Sequence, residues 1–330
     1  MSSIEYASAC IAMLSFKGVG PAKIGSISKQ LSPRSLSAFE IACSMADAIS
    51  LSCDIEMLKT SVGKASSKLN AAMRADCGIV TLLDQSYPSR LRLLRTAPPV
   101  LFFRGDMSLL EKCIAVIGTR SPSEDALDAS LKIADALTAS GAGICNGLAQ
   151  GVDERALTTK SGYRTAAVGV VAGGIVGELR STLSAKTATI AGGILAQGGL
   201  IVSESLPDRC EDMYSLISAC RIQAGISRGI VLVQSTANGG SMYTIKAGIE
   251  VECPIAAYLP EEKFKADSRY DANRSMCSAE KLDGHKRSQI RKPTSLYTIR
   301  SKSIELDSTQ FVSVAFSEKP PARMEQMELL

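Results

Sequence analysis

Residues 114–121, Ile-Ala-Val-Ile-Gly-Thr-Arg-Ser, join a short apolar run to a polar turn. The run Ile114–Ile117 is continuous rather than alternating, which is typical of a parallel strand buried on both faces. Gly118 ends this run, and apolar residues then recur at helical spacing. The helical positions are Leu127, Leu131, Ala134 and Leu137. The stretch therefore predicts a strand, a tight turn and a helix.

The same alternation of strand and helix continues along the chain. A second helical stretch contains Thr187, Ile190, Ile194 and Leu195. The further apolar runs are residues 142–145, 165–171, 200–202, 229–233 and 255–258. Repeated strand–helix–strand units predict an α/β protein with a doubly wound, mostly parallel sheet. Ligands of such sheets bind at the carboxyl ends of the strands.

The chain has 330 residues, a length typical of about two domains. Residues 1–76 read as a helical module, and residues 77–260 contain the strand–helix repeat. Residues 261–330 form a basic, poorly defined C-terminal extension, for which we predict two short strands, at 295–299 and 311–316. The helical spacing near the N-terminus involves Ala7, Cys10, Ile11 and Leu14, and then Ile41, Met45 and Ile49.

A possible hairpin turn lies between the early helices. The stretch 16–24, Phe-Lys-Gly-Val-Gly-Pro-Ala-Lys-Ile, has two glycines that permit a tight turn and a proline suited to the start of a helix. Amides in such a turn can face a phosphate. Two interpretations stay open: a helix-hairpin-helix turn that binds DNA backbone, and an ordinary interhelical turn.

Composition excludes several classes of protein. Apolar residues make up 45% and charged residues 21% of the chain, the balance of a folded protein. No apolar run reaches the roughly 18–20 residues that span a bilayer, and no secretory signal is evident. We therefore expect a cytoplasmic protein with no membrane association. Ten scattered cysteines without a C-x-x-C pair, and the single His285 in a charged stretch, argue against a metal site and against Ser-His catalysis.

Charge is nearly balanced overall but not locally. The formal net charge is only +4. Residues 281–302 hold seven basic residues against one acidic residue, a local net charge of +6. Such a run is usually a solvated segment, and it is also able to contact a nucleic-acid backbone.

Three glycine-rich turns follow predicted strands, at 118–121, 146–153 and 238–244. In the first turn, small residues, a hydroxyl group and the guanidinium of Arg120 stand at the start of a helix, an arrangement suited to a phosphate. Each turn alone fits an ordinary strand-to-helix connection. Because all three meet at one edge of the sheet, together they favour a shared anion site.

Seven segments, in this order, resemble motifs of the DprA/Smf family of DNA-processing proteins. The resemblance covers residues 78 to 260 and extends to the helical N-terminal region. Its segments are Tyr-Pro-Ser-Arg-Leu at 87–91, Pro-Pro-Val-Leu-Phe-Phe-Arg-Gly at 98–105, Ile-Gly-Thr-Arg at 117–120, Asn-Gly-Leu-Ala-Gln-Gly-Val-Asp at 146–153, Ile-Val-Ser-Glu at 201–204, Arg-Ile-Gln-Ala-Gly-Ile-Ser at 221–227 and Gly-Ser-Met-Tyr-Thr at 240–244.

The resemblance implies a Rossmann-like domain that binds single-stranded DNA without being an enzyme. Family members are usually homodimers and pass the strand to a RecA-type recombinase during natural transformation and related recombination; no cofactor is implied. The implied nucleic-acid site comprises Gly118, Thr119, Arg120, Asn146, Gly147, Arg180, Arg221, Gly240, Ser241 and Thr244. Tyr214 and Tyr243 are the nearest aromatic residues, suited either to base stacking or to packing.

Two alternatives stay open beside DNA binding. Ala219 and Cys220 stand where the family has Arg-Asn, so a degenerate paralogue that no longer binds DNA is one alternative. The other is a nucleotide-binding or phosphoribohydrolase-like enzyme of the wider superfamily. The 239–246 stretch lacks the motif of those hydrolases, and Glu204 and Asp153 are the acid/base candidates. Either carboxylate equally suits the bracing of a turn.

Overall fold

The computed structural model describes residues 3–30, 36–261, 266–277 and 295–317. Its strands are β1 (Gly78–Thr81), β2 (Val100–Gly105), β3 (Cys113–Gly118), β4 (Gly143–Asn146), β5 (Thr158–Thr159), β6 (Gly162–Tyr163), β7 (Ala167–Val170), β8 (Leu200–Ser203), β9 (Gly229–Gln234), β10 (Ile255–Leu259) and β11 (Leu296–Arg300). Its helices are α1 (Ser3–Leu14), α2 (Pro21–Ser28), α3 (Ala38–Ala48), α4 (Ile55–Arg74), α5 (Glu124–Ala139), α6 (Val152–Leu157), α7 (Ala185–Ala196), α8 (Met213–Ile226), α9 (Ser241–Glu250), α10 (Asp271–Cys277) and α11 (Ile304–Ser317).

A large sheet organises the described residues. The strand order is β1-β2-β8-β7-β4-β3-β9-β10-β11. The pairs from β8 to β11 are parallel, and β2 runs antiparallel to both β1 and β8. All six predicted strands of the 114–258 region are present as β3, β4, β7, β8, β9 and β10. The predicted doubly wound, mostly parallel sheet is confirmed, whereas β1 and β2 were not foreseen.

Both faces of the central strands are buried, which explains their continuous apolar sequence. In β3, Ile114 and Val116 face the cluster formed with α5, while Ala115 and Ile117 face the cluster formed with α8 and α9. Helices α5, α6 and α7 cover the first face, and α8, α9 and α10 cover the second. Helices on both faces leave the strand ends as the open edges of the sheet.

The N-terminal region is helical, as the spacing indicates. Helix α1 packs on α3 and α4 and also reaches β1 and β2. The predicted hairpin turn is present: Gly18 has φ +82°, and Pro21 is the first residue of α2. The interpretation of this turn as a DNA contact and the division of the chain at 76/77 and 260/261 both stay predictions.

The C-terminal extension partly corrects the sequence analysis. The predicted strand at 295–299 is confirmed as β11, which pairs in parallel with β10. The strand predicted for 311–316 is wrong, because these residues belong to α11. Phe311, Val312 and Ala315 are buried at helical spacing, and α11 packs against α5. Residues 281–294 of the basic segment, and His285 with them, lie outside the described residues.

Candidate nucleic-acid interface

Four loops meet at the carboxyl edge of the sheet, where β7, β4, β3 and β9 end side by side. The chain continues from β3 into α5 on one face and from β9 into α9 on the other. Strand order therefore reverses between β3 and β9, and a crevice opens between their loops. Ligands of doubly wound sheets bind at this kind of switch point. The first and third predicted turns flank the crevice.

The turn after β3 is held at both ends. The amide of Thr119 donates to the carbonyl of Gln234 at 2.8 Å, and the carbonyl of Thr119 accepts the amide of Val152 at 3.3 Å. A Cβ on Gly118 would come within 2.7 Å of the Val152 side chain, so only glycine fits here. Arg120 is exposed between these anchors. The backbone thus holds a cationic side chain at the mouth of the crevice.

The polar groups of the turn after β4 form hydrogen bonds with one another. Asn146 is fully buried, and its amide group donates to the carbonyl of Asp153 at 3.0 Å. The amides of Gly147 and Ala149 donate to the Asp153 carboxylate at 3.1 and 3.4 Å. Asn146 and Gly147, both in the predicted site, are therefore part of the scaffold of the loop. Their hydrogen-bond donors face Asp153 in this structure rather than the crevice.

Asp153 has an unusual environment for a carboxylate. Burial raises its pKa to about 7, and the amides of Ala149 and Gly147 and the charge of Arg120 lower it only in part. The amides of Gly147 and Ala149 lie 3.1 and 3.4 Å from the Asp153 carboxylate. Hydrogen bonds of this length compensate poorly for the lost hydration of the charged form, so the pKa stays raised. Cys220 of α8 faces Asp153, and burial raises the pKa of that thiol as well. Asp153 therefore exchanges its proton near neutral pH.

We expect the stability of the protein to fall between about pH 5 and pH 6.5 through Asp153. In that range the unfolded carboxyl group is ionised while the folded one stays protonated, so folding takes up a proton and becomes less favourable as pH rises. Over this range the free energy of unfolding should fall by about 2 kcal/mol more in the wild type than in Asp153→Asn, whose side chain cannot titrate. Urea denaturation of both proteins at several pH values measures it. Parallel pH profiles for the two proteins would contradict the assignment.

The turn after β9 places small residues at the start of α9. Gly240 is exposed, and a Cβ there would meet nothing within 4 Å, so its backbone is approachable. Ser241 is half-buried and donates to the Ser235 hydroxyl at 3.0 Å. Thr244 is only 1% exposed and contacts Cys220 between α8 and α9. Of these three predicted residues, Gly240 and Ser241 reach the crevice and Thr244 braces two helices.

The other two predicted cations, Arg221 and Arg180, differ in whether their charge is free to bind an anion. Arg221 forms an ion pair with Glu204 at 2.6 Å, and Ser218 also donates to Glu204. Arg180 is exposed at the carboxyl edge beyond β7, where it donates to Thr189 at 3.3 Å. Ala219 is buried, 5% exposed, in the apolar cluster beneath α8. Arg120 and Arg180 therefore provide the exposed positive charge of the predicted set.

A shallow cleft of about 360 Å³ lies between α8 and α9. Two tyrosines line it, Tyr214 at 83% exposure and Tyr243 at 45%, and Lys246 lies 6.0 Å from the centre of the Tyr243 ring. Lys246 is not among the residues predicted for the site, although its position one helical turn beyond Tyr243 was a usable signal. Within the described ranges, no cluster of three or more acidic, cysteine or histidine side chains suits a metal ion.

Sequence reasoning also missed Gln234. This polar residue ends an otherwise apolar buried strand, and that contrast was the available signal. Its carbonyl holds Thr119, and its side chain hydrogen-bonds Ser123 at the start of α5. Gln234 thus connects the loops on the two sides of the crevice.

No helix in the described part of the chain is both long and apolar enough to cross a bilayer. The fold is Rossmann-like, and the carboxyl edge of its sheet carries glycine-rich turns and the exposed side chains of Arg120 and Arg180. The model of one family, DNA recombination-mediator protein A, matches residues 78–280. The chain belongs to that family.

Curated relatives agree with this assignment. The chain is 29% identical over 175 residues to DNA processing protein DprA of Bacillus subtilis, which covers 52% of this chain and 57% of that protein. It is 28% identical over 168 residues to Protein Smf of Escherichia coli, covering 51% and 44%. The chain thus spans about half the length of these curated relatives.

Two solved structures share the fold. DNA processing protein A from Streptococcus pneumoniae matches with a TM-score of 0.62 at 19% identity, over 83% of this chain and 92% of that one. DNA processing protein A from Helicobacter pylori, described for its single-stranded DNA binding mode, matches with a TM-score of 0.50 at 23% identity, over 60% and 86%. At these identities the likeness establishes the fold alone.

Proposed function

We propose that this protein binds the backbone of single-stranded DNA along the carboxyl edge of its sheet. The observation that carries the proposal is Arg120, an exposed cation on a turn anchored by Gln234 and Val152 at the switch point. Membership of a recombination-mediator family and the single-stranded DNA binding of the Helicobacter pylori relative support the same ligand.

The proposed contacts divide into charged and neutral groups. Arg120 pairs with one phosphate, and Arg180 lies further along the edge for another. Gly240 and Ser241 offer backbone and hydroxyl donors at the start of α9. Asn146, Gly147 and Thr244 shape the site without contacting the strand, and Arg221 contributes only if its pair with Glu204 opens.

The cleft between α8 and α9 supports a preference for single strands. An unpaired base exposes its ring face, which a duplex hides, and exposed aromatic rings stack on it without regard to sequence. Tyr214 and Tyr243 are exposed in this way. Lys246 adds a cation next to the Tyr243 ring.

A recombination mediator delivers DNA to a recombinase, so we propose a RecA-type protein as the partner. The family resemblance further supports a homodimer that acts in the cytoplasm, in natural transformation or related recombination. The same resemblance supports a protein without catalytic activity or cofactor.

The geometry gives less support to a hydrolase. Both candidate carboxylates have internal partners: Glu204 pairs with Arg221, and Asp153 accepts loop amides. The degenerate-paralogue alternative rested on the missing cation at Ala219. That position is buried, and the exposed Arg120 and Arg180 do not depend on it.

Fluorescence anisotropy with a labelled oligonucleotide tests the proposed function. We expect saturable binding of the single strand at micromolar protein or below, and at least about tenfold weaker binding of the matching duplex, since one stacked base is worth about 1–3 kcal/mol. Equal affinity for both forms would contradict the role of the cleft. Hydrolysis of a nucleoside monophosphate, lost in Glu204→Gln, would favour the enzyme instead.

A further inference from the structure

The side chain of Asn273, on α10, is fully buried and has hydrogen-bond partners at both of its ends. Its Nδ2 lies 3.0 Å from each of the carbonyls of Leu232, Val233 and Tyr258, and its two N–H groups are shared among these three acceptors. Its Oδ1 accepts the amide of Ser235 at 3.0 Å. One amide group from the segment after β10 therefore binds the ends of β9 and β10 together.

Ser235 transmits this contact to the turn that leads into α9. Its carbonyl accepts the amide of Ala272 at 3.0 Å, so α10 holds Ser235 from two sides. Its hydroxyl accepts from Ser241 at 3.0 Å and donates to the carbonyl of Thr236 at 2.9 Å. A Cβ on Gly239 would lie 2.3 Å from that hydroxyl, which shows how closely the turn wraps around it. The start of α9 is thus placed by Ser235.

A second branch leads to the turn that carries Arg120. Gln234 precedes Ser235, and its side-chain Oε1 and Nε2 both contact Ser123 at 2.9 Å. Tyr270, three residues before Asn273, contacts the same Ser123 hydroxyl at 3.3 Å and donates to Asp125 at 2.7 Å. Residues 270–273 consequently hold the loops on both sides of the crevice.

We propose that Asn273 is a positioning residue of the DNA site, which fixes the spacing between the Thr119–Arg120 turn and the Ser241 turn without touching the strand. This inference rests on the proposed function. A strand that contacts both turns requires a set distance between them, and buried polar networks whose members are all satisfied give a unique geometry. Helix α10 would therefore position the DNA site in addition to packing against the sheet.

Asn273→Ala tests the inference in the full-length chain. We expect about fivefold weaker binding of labelled oligothymidylate, a loss typical of a residue that couples to a site through a network. Met276→Ala is the matched control, because Met276 is buried on the same helix but packs in the apolar cluster. It should lower the melting temperature and leave the affinity within about twofold of wild type. Tyr270→Phe removes one hydroxyl with little loss of packing and serves if Asn273→Ala does not fold.

Hydrogen exchange separates failure of this inference from failure of the proposed function. Asn273→Ala should speed amide exchange at Thr119 and around Ser241, with or without DNA, while Met276→Ala should not. Tyr270→Phe, used in its place, should speed exchange at Thr119, since Tyr270 contacts the Ser123 side of the network. If wild-type protein binds no oligonucleotide, the proposed function fails, and the exchange result still decides whether the two turns depend on this network. Unchanged exchange and wild-type affinity in the network variant, or equal losses in Met276→Ala, would overturn the inference.

Discussion

Replacing Arg120 by alanine should weaken binding of single-stranded DNA by about tenfold to a hundredfold. A hydrogen bond to a charged group is worth about 1.5–3 kcal/mol, and Arg120 is exposed on the turn that follows β3 at the switch point. The turn itself should survive, because its anchors are the backbone groups of Thr119, which the substitution leaves in place. Anisotropy titrations at fixed salt measure the change.

Two variants show whether the loss is specific to this position. Lys112→Ala removes one charge immediately before β3, at the opposite edge of the sheet, and should change affinity by less than about twofold. Arg120→Lys keeps the charge without the planar fork, so it should recover only part of the affinity. Equal losses in Arg120→Ala and Lys112→Ala would show that overall charge, and not the crevice, determines binding.

Gly151→Ala should be among the most destabilising single changes near the site, at about 4 kcal/mol. Gly151 has φ +88°, a conformation that costs an L-residue free energy. A Cβ there would also lie 2.6 Å from the carbonyl oxygen of Thr119 and 2.9 Å from that of Arg120. Since backbone atoms cannot rotate away, the Arg120 turn must shift. DNA affinity should fall together with stability.

Gly141→Ala is a matched control for Gly151→Ala. Gly141 has nearly the same backbone angle, φ +84°, but a Cβ there would meet nothing within 4 Å. It should cost only the conformational term of about 1–2 kcal/mol and leave DNA binding unchanged. Urea denaturation of the two variants measures how much more Gly151→Ala costs, through the backbone contact and through its ψ of −122°. Equal destabilisation would mean that the close approach of Gly151 to the Arg120 turn has no energetic weight.

The central sheet was predictable because its signal is local. Each parallel strand is a continuous apolar run, and each is followed by small or polar residues that cannot continue it. Strand β2 also has a continuous apolar run, at residues 100–103, but it was read only as part of a family motif and not as a strand. The short strand β1 and the helix α11 were missed as well. In α11, the sequence Phe-Val-Ser-Val-Ala-Phe at 311–316 has β-branched residues that favour a strand locally, and contacts with α5 determine the helix instead.

The composition of the site was also predictable, but the direction of its side chains was not. Asn146 and Thr244 stand in polar turns beside Gly147 and Ser241, and only the packed structure shows that the first two point inward. The sequence around Gly147 predicts a backbone amide that binds phosphate. In the structure that amide donates to the carboxylate of Asp153 instead. Hydrogen-bond partners within a fold depend on contacts between distant segments, and a single sequence does not specify them.

The salt dependence of oligonucleotide binding tests the central claim most directly. If the carboxyl edge binds the DNA backbone, the logarithm of the association constant falls linearly with the logarithm of salt concentration, by about 0.7 for each phosphate contacted. With Arg120 and Arg180 both engaged we expect a slope of about −1.4 or steeper for wild type, and a slope shallower by about 0.7 for Arg120→Ala. Binding that does not change with salt, or no binding at micromolar protein, would contradict the account.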